Sequence, residues 1–161
     1  FELNKPVVFL GPSLAIKEAK IILPDACYFP PVRCGDILQV LRLKPVAILV
    51  IDGFFERTPA VWHKELLFAL EKGVPVYGAA SIGALRAAEL SQYGMQGLGK
   101  VYQLYRDGVI DDDDEVAVAH HSEHSGYASV SQAMVNIRET ALKAKAEGIL
   151  TDVLFDEIFK N

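Results

Sequence analysis

The chain has 161 residues, of which 16 are basic and 21 acidic, giving a formal net charge of −5, and 51% of it is hydrophobic. That is enough for one ordinary domain with a real core, and too apolar for a disordered tail. No basic stripe, bilayer-length apolar run or signal peptide is visible, so neither nucleic acid nor membrane is an expected partner.

Cys27 and Cys34 are the two cysteines. Their spacing matches neither a zinc site nor a Cys-x-x-Cys redox pair, and the expectation is reduced thiols in a cytoplasmic protein. The chain opens on Phe1 rather than Met, as a trimmed chain or a fragment does.

Strand and helix signals alternate through the first half. An apolar run over 6–10 closes at Gly11-Pro12-Ser13 and leads to a predicted helix over 14–22. A second strand is expected over 26–29, stopped by Pro30-Pro31, and an amphipathic stretch follows over 35–43. The clearest strand covers 46–51, continuous and β-branched as buried parallel strands are. It ends at Asp52-Gly53. Thr58-Pro59 is read as the start of a helix with Pro in its first turn, and Gly73 as its end. A strand over 74–78 follows. Repeated units of this length predict a parallel sheet.

The second half changes character. Residues 93–108, loosened by Gly94, Gly97 and Gly99, read as a loop and a short helix. Residues 111–115 are acidic, and 116–119 form a possible strand. His120-His121-Ser122-Glu123-His124 reads as a polar loop; metal binding is the weaker reading, and no metal is expected. Helices are predicted over 127–147 and 151–160. The whole is expected to be α/β: a single domain with a mostly parallel sheet flanked by helices, in Rossmann-like layering, and a more helical C-terminal third.

The most informative segment is Val74-Pro75-Val76-Tyr77-Gly78-Ala79-Ala80-Ser81, which opens directly into Ile82-Gly83-Ala84-Leu85-Arg86. Ser81 thus stands at the carboxyl edge of the predicted sheet, where open α/β proteins bind ligands, and at a helix N-terminus, where negative charge is favoured. A-x-S-x-G is a relaxed nucleophile elbow. Ser is also a common N-cap, and both readings stay open. The turns after each strand converge on one edge: residues 11–13, the Pro30-Pro31 segment, Asp52-Gly53-Phe54-Phe55 and 79–81.

A nucleophilic Ser81 needs a base. Lys64 and His63 fall in the second turn of the helix predicted from Thr58, about 9 Å along its axis. An unfavourable dipole and partial burial both lower a lysine's pKa there. The alternative is a Lys64 that reaches to solvent. Arg86 and Glu89 are spaced to pair on a helix, though Arg86 is also a candidate to hold a carboxylate. A persulfide on Cys34 is a further, weaker route to sulfur chemistry.

The chain resembles the TfuA-like proteins. The resemblance is carried by residues 8–14, Pro30-Pro31 with Gly35-Asp36-Ile37, Ile51-Asp52-Gly53-Phe54-Phe55, Val61-Trp62-His63-Lys64-Glu65, residues 78–89, Tyr93-Gly94-Met95, residues 113–118 and Ala133-Met134-Val135-Asn136-Ile137-Arg138. It implies action beside a YcaO enzyme, which activates a peptide amide with ATP, so that a backbone oxygen is replaced by sulfur. Products of this kind are thioamidated methyl-coenzyme M reductase and some ribosomal peptide natural products. It also implies a sulfur donor, a ThiS-like carrier ending in a Gly-Gly thiocarboxylate, and a Ser–Lys hydrolase-like pair.

Carried over by motif, that pair is Ser81 and Lys64. Ile82, Gly83 and Ser13 are candidate backbone donors for the oxyanion, and Gly11, Asp52, His63 and Arg86 are candidate pocket residues. No cofactor is implied in this chain, since ATP belongs to the YcaO partner. The peptide or protein substrate is reached through YcaO. The alternative is a non-catalytic adaptor that brings YcaO, peptide and sulfur donor together.

Overall fold

The computed structural model describes residues 3–54, 58–121 and 123–159. Phe55, Ser122 and Lys160, which figured in the reading above, lie outside the described residues. Among the described residues there are five strands: β1 (Val7–Phe9), β2 (Cys27–Phe29), β3 (Ile48–Val50), β4 (Val76–Ala79) and β5 (Gln96–Leu98). They form one sheet in the order β2-β1-β3-β4-β5, and every pairing is parallel. The helices are α1 (Ile16–Ile22), α2 (Asp36–Leu41), α3 (His63–Glu71), α4 (Ile82–Leu90), α5 (Gly99–Arg106), α6 (Met134–Ala146) and α7 (Asp152–Phe159). The α/β class and the parallel sheet are therefore as expected, with the four predicted strands in place. No helix among the described residues is long and apolar enough to cross a membrane.

The period of two along each strand sorts the core into two layers. Val7, Phe9, Ile48, Val50 and Val76 share the larger layer with Ile37, Leu66, Ile82 and Leu85 of α2, α3 and α4. Val8 and Leu10 meet Ala19 of α1 on the other side. The first turn of α4 lies almost on the sheet backbone. A Cβ at Gly83 would stand 1.8 Å from the Val50 carbonyl oxygen, and one at Gly78 would stand 2.0 Å from the Gly83 oxygen. Only glycine permits that approach.

Four expectations need correction. β5 was read as loop, because Gln96-Gly97-Leu98 has no alternation and sits at the sheet edge. The helix after β3 begins at His63, not at Pro59: Pro59 gives its carbonyl to Cys34 N–H at 2.9 Å, which holds this stretch to the neighbouring loop. Residues 116–119 form no strand beside β1–β5; a 3-10 turn at Asp113–Glu115 precedes them. The helix predicted from Tyr127 begins only at Met134, because residues 128–130 pair back with residues 119–121 through a His120–Ser129 bridge.

Segment 110–118 is pinned from two sides. Tyr105 Oη donates to the Asp112 carbonyl at 2.8 Å, and Arg138 on α6 forks onto Glu115 at 2.9 Å. Burial first, and then the carboxylates of Glu115, Asp113, Asp112 and Glu89, push the Tyr105 hydroxyl above its ordinary 10.0. The folded state therefore holds this proton more tightly than the unfolded chain does. Its contribution to stability is fully present below about pH 10 and is lost as the pH rises further. In an alkaline absorbance titration, Tyr105 should ionise after every exposed tyrosine, and Tyr105→Phe should remove that last step.

Candidate functional site

Strand order places the site. In an order 2-1-3-4-5 the winding of the strands reverses between β1 and β3, and the crevice beyond their carboxyl ends is where such sheets bind ligands. The turns that open there are residues 11–13 after β1 and 52–54 after β3. They are joined through one side chain. Asp52 is 1% exposed. Its Oδ2 accepts the N–H groups of Gly11 at 2.8 Å and Ser13 at 3.0 Å. Its Oδ1 accepts the Ser13 hydroxyl at 2.6 Å. Gly11 is pressed under Pro31, whose Cγ would lie 2.4 Å from a Cβ.

Ser81 follows β4 on the same edge and is 9% exposed. The turn that presents it is strained: Ala80 has φ +57°, a left-handed backbone that a side chain disfavours. Ser81 stands at the N-cap position of α4, but its side chain caps nothing there. Its Oγ donates instead to the Val116 carbonyl, 3.4 Å away.

A cavity of about 320 Å³ opens in front of Ser81 and Ser13. Its polar lining is four hydroxyls and two amides, from Ser13, Ser81, Ser129, Ser131, Gln132 and Asn136, and none of its lining residues among those described is titratable. Val116 and Val118 form one wall and the start of α6 another. The Glu115–Arg138 pair ties these two walls together. Sequence reasoning missed the contribution of residues 129–136. The available signal was Asn136, within the motif that ends at Arg138.

A second, wider cavity of about 660 Å³ lies beyond residues 11–13, over the ends of β1 and β2. Phe9, Phe29, Phe54, His120 and Tyr127 line it, and the last three rings sit 5.6–6.4 Å apart. His120 is thus part of an aromatic wall, with Nδ1 and the His121 carbonyl oxygen 2.8 Å apart.

The other expected residues separate into two groups. Of the three backbone donors, Ser13 N–H is committed to Asp52 and Gly83 N–H to the Ile51 carbonyl at 3.3 Å. Ile82 N–H, first in α4, makes no hydrogen bond among the described residues. His63 and Arg86 meet each other through Glu89, whose Oε2 is 2.7 Å from both His63 Nε2 and Arg86 Nη1. Arg86 Nε also donates to the Val61 carbonyl. This network ties α3 to α4 and does not border the Ser81 cavity. Lys64 lies in the first turn of α3, not the second; it is exposed, and it is not among the residues lining that cavity. Partial burial, with Glu65 and Asp36, pushes the Cys34 thiol up and away from the reactive thiolate.

No curated protein matches the sequence significantly. The family model described as TfuA-like protein matches residues 52–161, from the buried aspartate at the switch point through Ser81 and both cavity walls to the last residue. With more than half of its length matched, the chain belongs to the TfuA-like family.

Proposed function

We propose that this TfuA-like protein releases sulfide from the C-terminal thiocarboxylate of a ThiS-like carrier, for use by a YcaO enzyme, with Ser81 as the nucleophile. Family membership supports a role in the thioamidation system. The observation that carries the finer reading is the Ser81 hydroxyl. It is nearly buried, sits at a strained strand–helix turn, faces a cavity and is not tied to its own helix.

The chemistry balances without a cofactor. Ser81 Oγ attacks the thioacid carbonyl and forms an ester. The carbon–sulfur bond breaks, and the proton of Ser81 leaves with the sulfide, which departs more readily than oxide because it is the weaker base. Ile82 N–H, at the positive end of α4, is the proposed donor to the tetrahedral oxyanion. Water then cleaves the ester. Lys64 is the proposed base that moves the proton from Ser81 to sulfur. Because it is exposed, this role requires its amine to swing to the cavity mouth when a carrier tail is bound.

The test is sulfide release from a purified carrier thiocarboxylate. Lys64→Met should lower the rate by about 10²-fold or more if Lys64 is the base. An unchanged rate removes Lys64 from the mechanism and leaves Ser81 in it. One observation favours a second reading: no titratable side chain lines the cavity among the described residues. In that reading the chain is an adaptor that assembles YcaO, peptide and carrier, and Ser81 is structural.

A further inference from the structure

An ester on Ser81 must be hydrolysed, and Ser81 offers no means of activating water. Among the described residues its hydroxyl is bonded to the Val116 carbonyl, which takes up no proton. The Ser131 hydroxyl is occupied as well, accepting the Ala119 N–H at 2.8 Å in the fold-back that covers the cavity. Ser13 differs from both. Its hydroxyl is given to Asp52 at 2.6 Å, and a carboxylate is a group that accepts protons. The donation fixes the orientation of the hydroxyl and leaves the Oγ lone pairs as acceptors, on a residue that lines the cavity. Asp52 cannot turn away. It is buried, and the Gly11 and Ser13 N–H groups hold its other oxygen. The pair is built from both turns at the switch point, where an open sheet binds its ligand. Ser13 and Ser81 thus line one cavity, and Asp52 holds Ser13 from outside that lining.

We propose that Ser13, held by Asp52, activates the water that frees the carrier from Ser81. The proposal rests on the reading of Ser81 as nucleophile. A water donates a hydrogen bond to Ser13 Oγ. As it attacks the ester carbonyl, its proton passes to Ser13 and the Ser13 proton to Asp52. The carbon–oxygen bond to Ser81 breaks, and the proton held by Asp52 returns through Ser13 to the departing Ser81 oxygen. Ester and water become carboxylic acid and free Ser81, with no other reactant. Ser13 touches the reacting water and is catalytic; Asp52 acts through it and is a positioning residue.

The experiment mixes the full chain with thiocarboxylated carrier and follows both sulfide and intact mass. Wild type should turn over repeatedly without accumulating an adduct. Ser13→Ala removes one hydroxyl and leaves both N–H bonds to Asp52 in place. Asp52→Asn keeps an oxygen for the backbone and cannot take the proton. Both variants should release about one sulfide per chain and then stop. Each should carry a covalent adduct whose mass is chain plus carrier less H₂S, and Ser81→Ala introduced in either variant should abolish the adduct. A purely structural role for the pair would lower all activity without trapping an ester.

Turnover at the wild-type rate in Ser13→Ala overturns the proposal, and so does a folded Ser13→Ala that releases no sulfide at all. If Asp52→Asn does not fold, Ser13→Ala alone decides. Failure of the underlying reading looks different, since wild type would then release no sulfide, or Ser81→Ala alone would release it at the wild-type rate.

Discussion

Ser81→Asn should fold, bind a YcaO enzyme as the wild type is proposed to do, and release no sulfide. Asparagine keeps a side-chain donor for the Val116 carbonyl, so a structural role would survive the change. A nucleophile would not, because an amide offers no hydroxyl to attack with. The stability cost of losing the hydroxyl is small. Ser81→Ala deletes a single long bond to the Val116 carbonyl, which is worth about 1 kcal/mol or less. The catalytic loss is large, at least about 10³-fold, because the attacking group itself is removed. Ser81→Cys should retain part of the activity through its thiolate. Circular dichroism and a pull-down with YcaO, run beside the sulfide assay, separate the two effects. Near-normal sulfide release by Ser81→Asn would show that Ser81 is structural and that the attacking group lies elsewhere.

Gly83→Ala should be among the most destabilising single-methyl changes in the chain. The added Cβ would stand 1.8 Å from the Val50 oxygen and 2.6 Å from its carbonyl carbon. Both are backbone atoms of a central strand, so no side chain can move aside. Either α4 lifts off β3, uncovering Ile82 and Leu85, or β3 distorts. Overpacking of this kind costs about 3 kcal/mol. For a chain of this length that lowers the melting temperature by roughly 6–12 °C. Lifting α4 also moves Ser81, so residual sulfide release should fall below what the folded fraction allows. A loss under about 1 kcal/mol in denaturant titration would show that α4 does not rest on the strand backbone.

Much of this fold is written locally. Strands such as Ile48-Leu49-Val50, with turn residues at their ends, declare themselves by composition, and their parallel pairing follows from the helices between them. β5 carries no such mark; it is a strand because β4 offers it an edge. Pro59 fits the first turn of a helix equally well, and only its bond to Cys34, a partner distant in sequence, decides against that.

The site divides in the same way. Ser81 is legible because the glycines and alanines around it have to serve a sharp turn. The Ser13–Asp52 bond joins residues 39 apart in sequence. The sequence shows that their turns share an edge, not that the hydroxyl reaches the carboxylate. Lys64 illustrates the limit of periodicity, since a shift of the helix start moved it from the second turn to an exposed place in the first.

The most direct test uses the purified chain and a thiocarboxylated carrier, with YcaO and peptide left out. Many sulfides should be released per chain, the carrier should return with an ordinary carboxylate at its C-terminus, and both should be lost when Ser81 is replaced by Ala. A chain that binds the carrier yet releases no sulfide until YcaO and peptide are added would contradict the proposed mechanism.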